Sequence, residues 1–264
     1  MAGMPYIVTK GIVLRETETK ETDKILTLLT AERGKISVIA RGARRKNCSF
    51  AASAQSLVYS EWTLYQRGNW YYVNEGATLE LFQGLRTDLD VMALGFYFAE
   101  LTDCVSLEEQ PSAALLSHLL NGLYALGTMN KPHPLVKAAF EVKLLALSGY
   151  EPLVDGCAYC GCLTPERPVL DVVQGVLRCE ACGTGERRRS LPLCQNSLAA
   201  LRRVLYGDPK RLYSFTLGGE ALQRFSRAAE RFALTQLDRG FQTLDFYRSL
   251  QPTPPEWDKK NNES

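Results

Sequence analysis

A chain of 264 residues, 45% hydrophobic and 23% charged, can build one or two globular domains with a real core. Its formal net charge of +2 is too small to make the whole molecule a polyanion binder, so any nucleic-acid surface must be local. The start of the chain lacks the charged head and long apolar run of a signal peptide. The longest charge-free stretch, 110–130, carries Pro111, Ser117, His118 and Asn121 among leucines at helical spacing, which favours a buried helix over a membrane span.

Residues 6–80 read as β-structure. Strands are expected at 6–14, 24–29, 35–41, 56–66 and 70–81, with a polar loop at 15–22 and a hairpin turn at Arg67-Gly68-Asn69. The 24–29 segment also fits a short helix. Five strands in about eighty residues suggest a small barrel. An OB-fold is the best known five-stranded Greek-key solution, although other small barrels fit the same count. Aromatics crowd the second half: Tyr59, Trp62, Tyr65, Trp70, Tyr71 and Tyr72. Alternation places Trp62 and Leu64 on one face and Tyr65 on the other, so some are core and others can face bases.

The third strand runs into the most basic window of the chain. Arg33, Lys35, Arg41, Arg44, Arg45 and Lys46 fall together, and no Asp or Glu occurs between Glu32 and Glu61. Gly42 and Ala43 form a turn that presents Arg44, Arg45 and Lys46. Cations at a strand end suit phosphate contact, because each pairing releases condensed counterions. A solvated loop is the ordinary alternative.

Helices follow from about residue 87. Thr87 with Asp90 resembles a capping box that opens a helix to about 107. Pro111 suits the first turn of the next, ending near 127. Others are expected at 134–148, 195–206, 219–239 and 241–250, and the Pro-rich polar end at 251–264 is expected to be disordered. The organisation is α+β and multidomain: a barrel domain at 1–82, a helical domain at 83–250 with an insertion at about 153–190, and the tail.

Cys157-Ala-Tyr-Cys160 and Cys179-Glu-Ala-Cys182 are two CxxC pairs separated by eighteen residues, a zinc-site spacing. Each pair wraps two thiolates around one side of a metal, and a closed four-ligand set is structural. Cys162 offers an alternative third ligand and Cys194 is spare; Cys48 and Cys104 read as isolated thiols. Eight cysteines without a secretory signal suit reduced thiols or metal ligands in a cytosol. Catalytic signals are lacking: there are two histidines, neither in a motif, and no phosphate-cradling glycine loop. Neither CxxC is preceded by the Pro of the zinc-deaminase signature. The expectation is a binding protein that is not an enzyme. Further cations at Arg187, Arg188 and Arg189, and at Arg224, Arg227 and Arg231 along one helix face, read as a solvated surface or as one for DNA or an acidic peptide.

The stretch 11–45, above all TAERG at 30–34 followed by ARGARR at 40–45, resembles the bacterial recombination mediator RecO family, and the order of barrel, helices and CxxC pairs agrees with it. The resemblance implies an OB-fold domain followed by an α-helical domain with an inserted zinc-binding module holding one structural Zn2+ on Cys157, Cys160, Cys179 and Cys182. It implies binding of single- and double-stranded DNA, strand annealing, and RecA loading onto strands coated by single-stranded-DNA-binding protein (SSB). Its partners would be RecR, the SSB C-terminal tail and, in some bacteria, RecF, in a nucleoid-associated cytoplasmic setting. The phosphate-binding residues expected are Lys35, Arg41, Arg44, Arg45 and Lys46, joined by Arg15, Lys20 and Lys24 from the first loop. A zinc-ribbon and OB-fold module that binds RNA or protein, without recombination activity, is the competing reading.

Overall fold

Apolar residues alternating along the first eighty positions need an inside, and a closed barrel supplies it. The computed structural model describes residues 6–182 and 190–251. Its first five strands are β1 (Tyr6–Thr19), β2 (Asp23–Thr30), β3 (Gly34–Ala40), β4 (Tyr59–Arg67) and β5 (Trp70–Glu80). They close in the order β1-β2-β3-β5-β4, with β4 returning to β1. All neighbours are antiparallel except β3 and β5, which pair in parallel. That Greek-key closure is OB-like. Ile36, Val38, Ala40, Trp62, Leu64 and Val73 point inward. The Trp62 indole N–H donates to the Gly11 carbonyl at 3.1 Å, so this large ring is buried without an orphaned donor.

Two local expectations differ. Where a polar loop is expected after Leu14, β1 continues to Thr19, past a register shift between Val13 and Arg15. Thr17 pairs with Ile25 and Glu18 with Lys24 across the ladder, and Lys24 also binds the Glu16 carboxylate at 2.6 Å. Cross-strand hydrogen bonds and this pairing extend a polar arm that has no apolar pattern of its own. Of the two readings of 24–29, the strand holds, because both β1 and β3 pair with it.

A short 3-10 helix at Gln83–Thr87 leads to α1 (Leu89–Val105), followed by α2 (Ala113–Thr128) and α3 (His133–Leu147). The cap of α1 is Asp88, not Thr87. The Asp88 carboxylate accepts from the N–H groups of Asp90 at 2.8 Å and Val91 at 3.3 Å, while the Thr87 hydroxyl donates to the Gly84 carbonyl. An anion with extended backbone at a helix start outcompetes a hydroxyl one residue earlier. An inserted three-stranded sheet follows: β6 (Pro168–Asp171), β7 (Val176–Cys179) and β8 (Ser190–Pro192), in the order β7-β6-β8. Then come α4 (Gln195–Tyr206), α5 (Gly219–Gln236) and α6 (Gln242–Leu250). The tail expected to be disordered lies, from residue 252 on, outside the described residues. A polar network, buried at Lys137 and Glu141 and reaching the surface at Arg248, ties four helices. Lys137 of α3 lies 2.8 Å from Glu141 and 2.6 Å from Glu230 of α5, while Tyr97 of α1 donates to Glu141 and Arg248 of α6 pairs with Glu230.

Barrel and helices share one core. Ile12, Leu14, Leu29 and Leu57 belong to the same apolar cluster as the buried residues of α1, α2 and α3. Backbone bonds reinforce the seam: Lys35 N–H donates to Leu107 O, Glu109 N–H to Lys35 O, and Ser112 N–H to Ala31 O. Gly34 makes that approach possible. Its φ is +59°, and a Cβ there would stand 1.8 Å from the Gln110 carbonyl oxygen.

Candidate nucleic-acid interface and metal centre

Two loops at one end of the barrel are stapled together. The β1–β2 turn and the loop leaving β3 meet where Gly42 N–H donates to the Asp23 carboxylate at 2.8 Å and Arg44 N–H donates to Thr22 O at 3.0 Å. The Arg44 guanidinium crosses the same gap to the Glu21 carbonyl at 3.3 Å and the Glu18 carboxylate at 3.0 Å. The Gly42 N–H lowers the Asp23 carboxyl below its ordinary value; Thr22, Lys20 and Arg41 pull the same way against a smaller desolvation effect. An ionised Asp23 therefore fixes the loop that carries the cations.

This brings Lys20, Arg41, Arg44, Arg45 and Lys46 to one exposed rim. Arg41 lies over the Tyr72 ring, 4.6 Å from its centroid. Among the described residues, Lys20, Arg41, Arg45 and Lys46 have no salt-bridge partner, which leaves their charge available to phosphate. Arg44 is shared: an exposed ion pair with Glu18 costs little to exchange for another anion.

The other expected cations have different surroundings. Lys35 faces the helical domain, 3.1 Å from the Asp103 carboxylate and 2.8 Å from the Asp103 carbonyl. Lys24 is mostly covered and paired with Glu16. Arg15 is exposed, but lines a cleft between barrel and helices with Glu100, Asp103 and Arg239. Lys35 and Arg15 do not join the rim, and Lys24, at its edge opposite Ala40, is held by Glu16. The residues that assemble the rim, Asp23 and Glu18, carried no signal in the sequence, because their partners are about twenty residues away.

The four expected cysteines converge. The Sγ atoms of Cys157, Cys160, Cys179 and Cys182 all lie within 4.8 Å of one another, with Cys160 and Cys179 at 3.7 Å. Sulfurs about 2.3 Å from a tetrahedral ion stand roughly 3.8 Å apart, so the donor set fits a single metal ion. Cys162 is exposed and outside this group, and Cys194 lies at the start of α4, its N–H donating to Ser197 Oγ. The first knuckle is a tight turn: Gly161, at φ +72°, donates to Cys157 O, and Cys157 N–H donates to Cys162 O. Burial pushes the Cys157 thiol up, but N–H groups of Cys160, Cys179 and Tyr159 outweigh it and hold the thiol at about 6. Desolvation, followed by the thiols of Cys160, Cys157 and Cys182, pushes Cys179 up. The thiols that push Cys179 and Cys182 up would ionise only with a cation among them, so this cluster is organised for a bound metal ion.

Arg202 of α4 clamps the module to the helices. Its guanidinium donates to the carbonyls of Val154, Asp155 and Leu163 at 2.7–2.9 Å. Of the downstream cations, Arg224 is tied to Glu220 and the Leu193 carbonyl, and Arg227 and Arg231 are exposed on the same helix. Arg187, Arg188 and Arg189 lie outside the described residues.

No described helix is long and apolar enough to cross a membrane. Residues 4–82 match the family described as "Recombination protein O N terminal", and residues 86–245 match "Recombination protein O C terminal". A protein of Acetivibrio thermocellus named DNA repair protein RecO is 30% identical over 94% of this chain and 98% of its own length. Those of Symbiobacterium thermophilum and Anaeromyxobacter dehalogenans carrying the same name are 33% and 32% identical, covering 91% and 94% of this chain and 96% and 98% of theirs. An OB-like barrel, a helical domain, a four-cysteine centre and two matched halves have one common explanation: the chain belongs to the RecO family.

Proposed function

We propose that this chain is a DNA-binding mediator of recombinational repair that anneals complementary single strands and helps load RecA onto SSB-coated DNA. Its relatives carry the name DNA repair protein RecO, and the partners that belong to this proposal are RecR, the SSB C-terminal tail and, in some bacteria, RecF. The observation that carries the reading is the stapled rim of Lys20, Arg41, Arg44, Arg45 and Lys46 on an OB-like barrel. Phosphates of two strands held at one cationic rim repel each other less, which lowers the electrostatic barrier to their pairing. The protein acts by binding and positioning, not as an enzyme, and works in the cytoplasm, where thiols stay reduced. The metal is zinc, since a tetrahedral four-thiolate set suits that ion and leaves no open position for a substrate.

The test is the double substitution Arg45→Glu with Lys46→Glu, read by fluorescence anisotropy on labelled single strands and duplexes. Affinity falls, and the slope of log affinity against log salt shrinks by about 1–2, as two phosphate contacts are lost. Annealing of complementary oligonucleotides, bare and SSB-coated, slows in parallel. Unchanged affinity and salt slope would remove the rim from the mechanism.

A further inference from the structure

The barrel register places an aromatic row on the outside of the molecule. Tyr6 of β1 pairs with Tyr65 of β4, and Tyr65 pairs with Tyr72 of β5. Their neighbours along the strands, Leu64 and Tyr71, turn into the barrel, so the row lies on the outer face, with Tyr65 and Tyr72 half-buried in it. Tyr65 and Tyr72 stack with centroids 5.2 Å apart and planes 15° apart. Two position pairs further, on the same face, Arg67 stands opposite Trp70. Tyr6 is 61% exposed and Trp70 is 47% exposed. Large rings grouped on an outer face are unusual for a surface, and they are not needed for the core, which Trp62 fills from the other side.

The charges around this row indicate what covers it. Arg41 sits over Tyr72, Arg67 adjoins Trp70, and the row is continuous through Arg41 with the cationic rim. Of the carboxylates on these two strands, Glu61 and Glu80 lie toward the opposite end of the β4–β5 pair, and Glu75 sits midway, opposite Thr63. The open faces of Tyr6 and Trp70, continued by the Tyr65–Tyr72 stack with the Arg41 guanidinium over Tyr72, match a chain of planar bases on a phosphate backbone. A duplex hides its base faces inside its own stack, so only unpaired bases can reach these rings.

We infer that Tyr6, Tyr65, Tyr72 and Trp70 form a base-stacking platform that recognises single-stranded nucleic acid, beside a rim that takes phosphates from single or double strands alike. The inference rests on the nucleic-acid reading of the rim and adds to it a site that tells an unpaired strand from a duplex.

The experiment compares the full-length chain on three labelled ligands of equal length: oligo-dT, an abasic single strand and a duplex. The abasic strand keeps every phosphate and removes every base. Oligo-dT is expected to bind at least roughly tenfold more tightly than the abasic strand, about the contribution of one stacked ring. Oligo-dT, but not the abasic strand, quenches Trp70 emission, read as the difference from Trp70→Leu. In Tyr72→Leu with Trp70→Leu the ratio of oligo-dT to abasic affinity falls toward one, whereas Tyr65→Phe with Tyr72→Phe retains it. Equal binding of oligo-dT and abasic strands by the unaltered protein overturns the platform while leaving the rim intact. Retention of the ratio in the leucine variant overturns it as well. Failure to bind any of the three ligands removes the rim and the platform together. The comparison on the unaltered protein decides the matter even if the leucine variant does not fold.

Discussion

Buried in α2, His118 stacks on Phe140 with ring centroids 4.5 Å apart, and its Nε2 lies 3.0 Å from the Phe140 carbonyl. Burial lowers its pKa to about 4, against a smaller opposing effect of that hydrogen bond and with Lys143 reinforcing the shift. In the unfolded chain an ordinary histidine takes its proton near 6.5, so between about 6.5 and 4 the unfolded state binds the extra proton. The contribution of His118 is therefore complete above pH 6.5 and is lost as pH falls toward 4, up to about 3 kcal/mol. Denaturant titrations across that window should show a steeper fall in stability for the parent than for His118→Gln, which keeps a donor without the titration. Parallel curves would mean the imidazole is not held neutral. Read along the chain, His118 shows only that it belongs to an apolar helix, because its partner is twenty-two residues away. The same limit separates the cations. Arg41, Arg44, Arg45 and Lys46 stay together because they are neighbours in sequence, while Lys35 is captured by Asp103, sixty-eight positions later.

At the scale of elements, what was legible depended on local chemistry. The strand faces of β3 and β4 follow from alternation, and the CxxC pairs announce the metal centre because each knuckle is made by four consecutive residues. The extension of β1 to Thr19 was not legible, since its order comes from pairing with β2 and not from its own apolar pattern. The cap of α1 slid by one residue to Asp88 for a reason visible only once the backbone direction is known. The metal module is the element whose stability depends most on one ligand set. Its strands β6, β7 and β8 are three or four residues long, too short to stand as an independent sheet. Elemental analysis of the purified protein should find about one zinc per chain, and Cys179→Ser should lose it. We expect that variant, or strong chelation of the parent, to lower stability by about 2–5 kcal/mol and to expose 157–182 to limited proteolysis. A protein with no zinc, and a Cys179→Ser variant with unchanged melting and cleavage, would exclude the metal as a staple.

For the molecule as a whole, the question is whether barrel and helices act as two bodies or one. Composition and periodicity separate them cleanly near residue 85, and the two family matches meet at the same place. The packing does not separate them. Leu57, at the end of the long loop into β4, is 1% exposed and enters the helical core, and it sits close enough to Gly95 of α1 that a Cβ there would meet its Cδ1 at 3.1 Å. Its φ of +66° also marks a backbone held by its surroundings, between the Leu57 N–H to Val13 carbonyl bond and the α1 face. A side chain serving both halves transmits the loss of packing in one to the other, and the Lys35–Asp103 pair and the Leu107–Glu109 backbone bonds do the same. Such a seam holds the cationic rim at a fixed angle to the metal-bearing helical domain, which matters if one strand is bound while a partner protein occupies the helices. Leu57→Ala opens a cavity between the halves and should cost about 2–5 kcal/mol. Because the cavity belongs to both, the barrel signal, near-UV dichroism around Trp62, and the helical signal at 222 nm should shift to lower temperature together, as a single transition. If the 222 nm transition stays in place while the near-UV one moves, the two domains are coupled only by their linker, and the rim is free to reorient on the helical body.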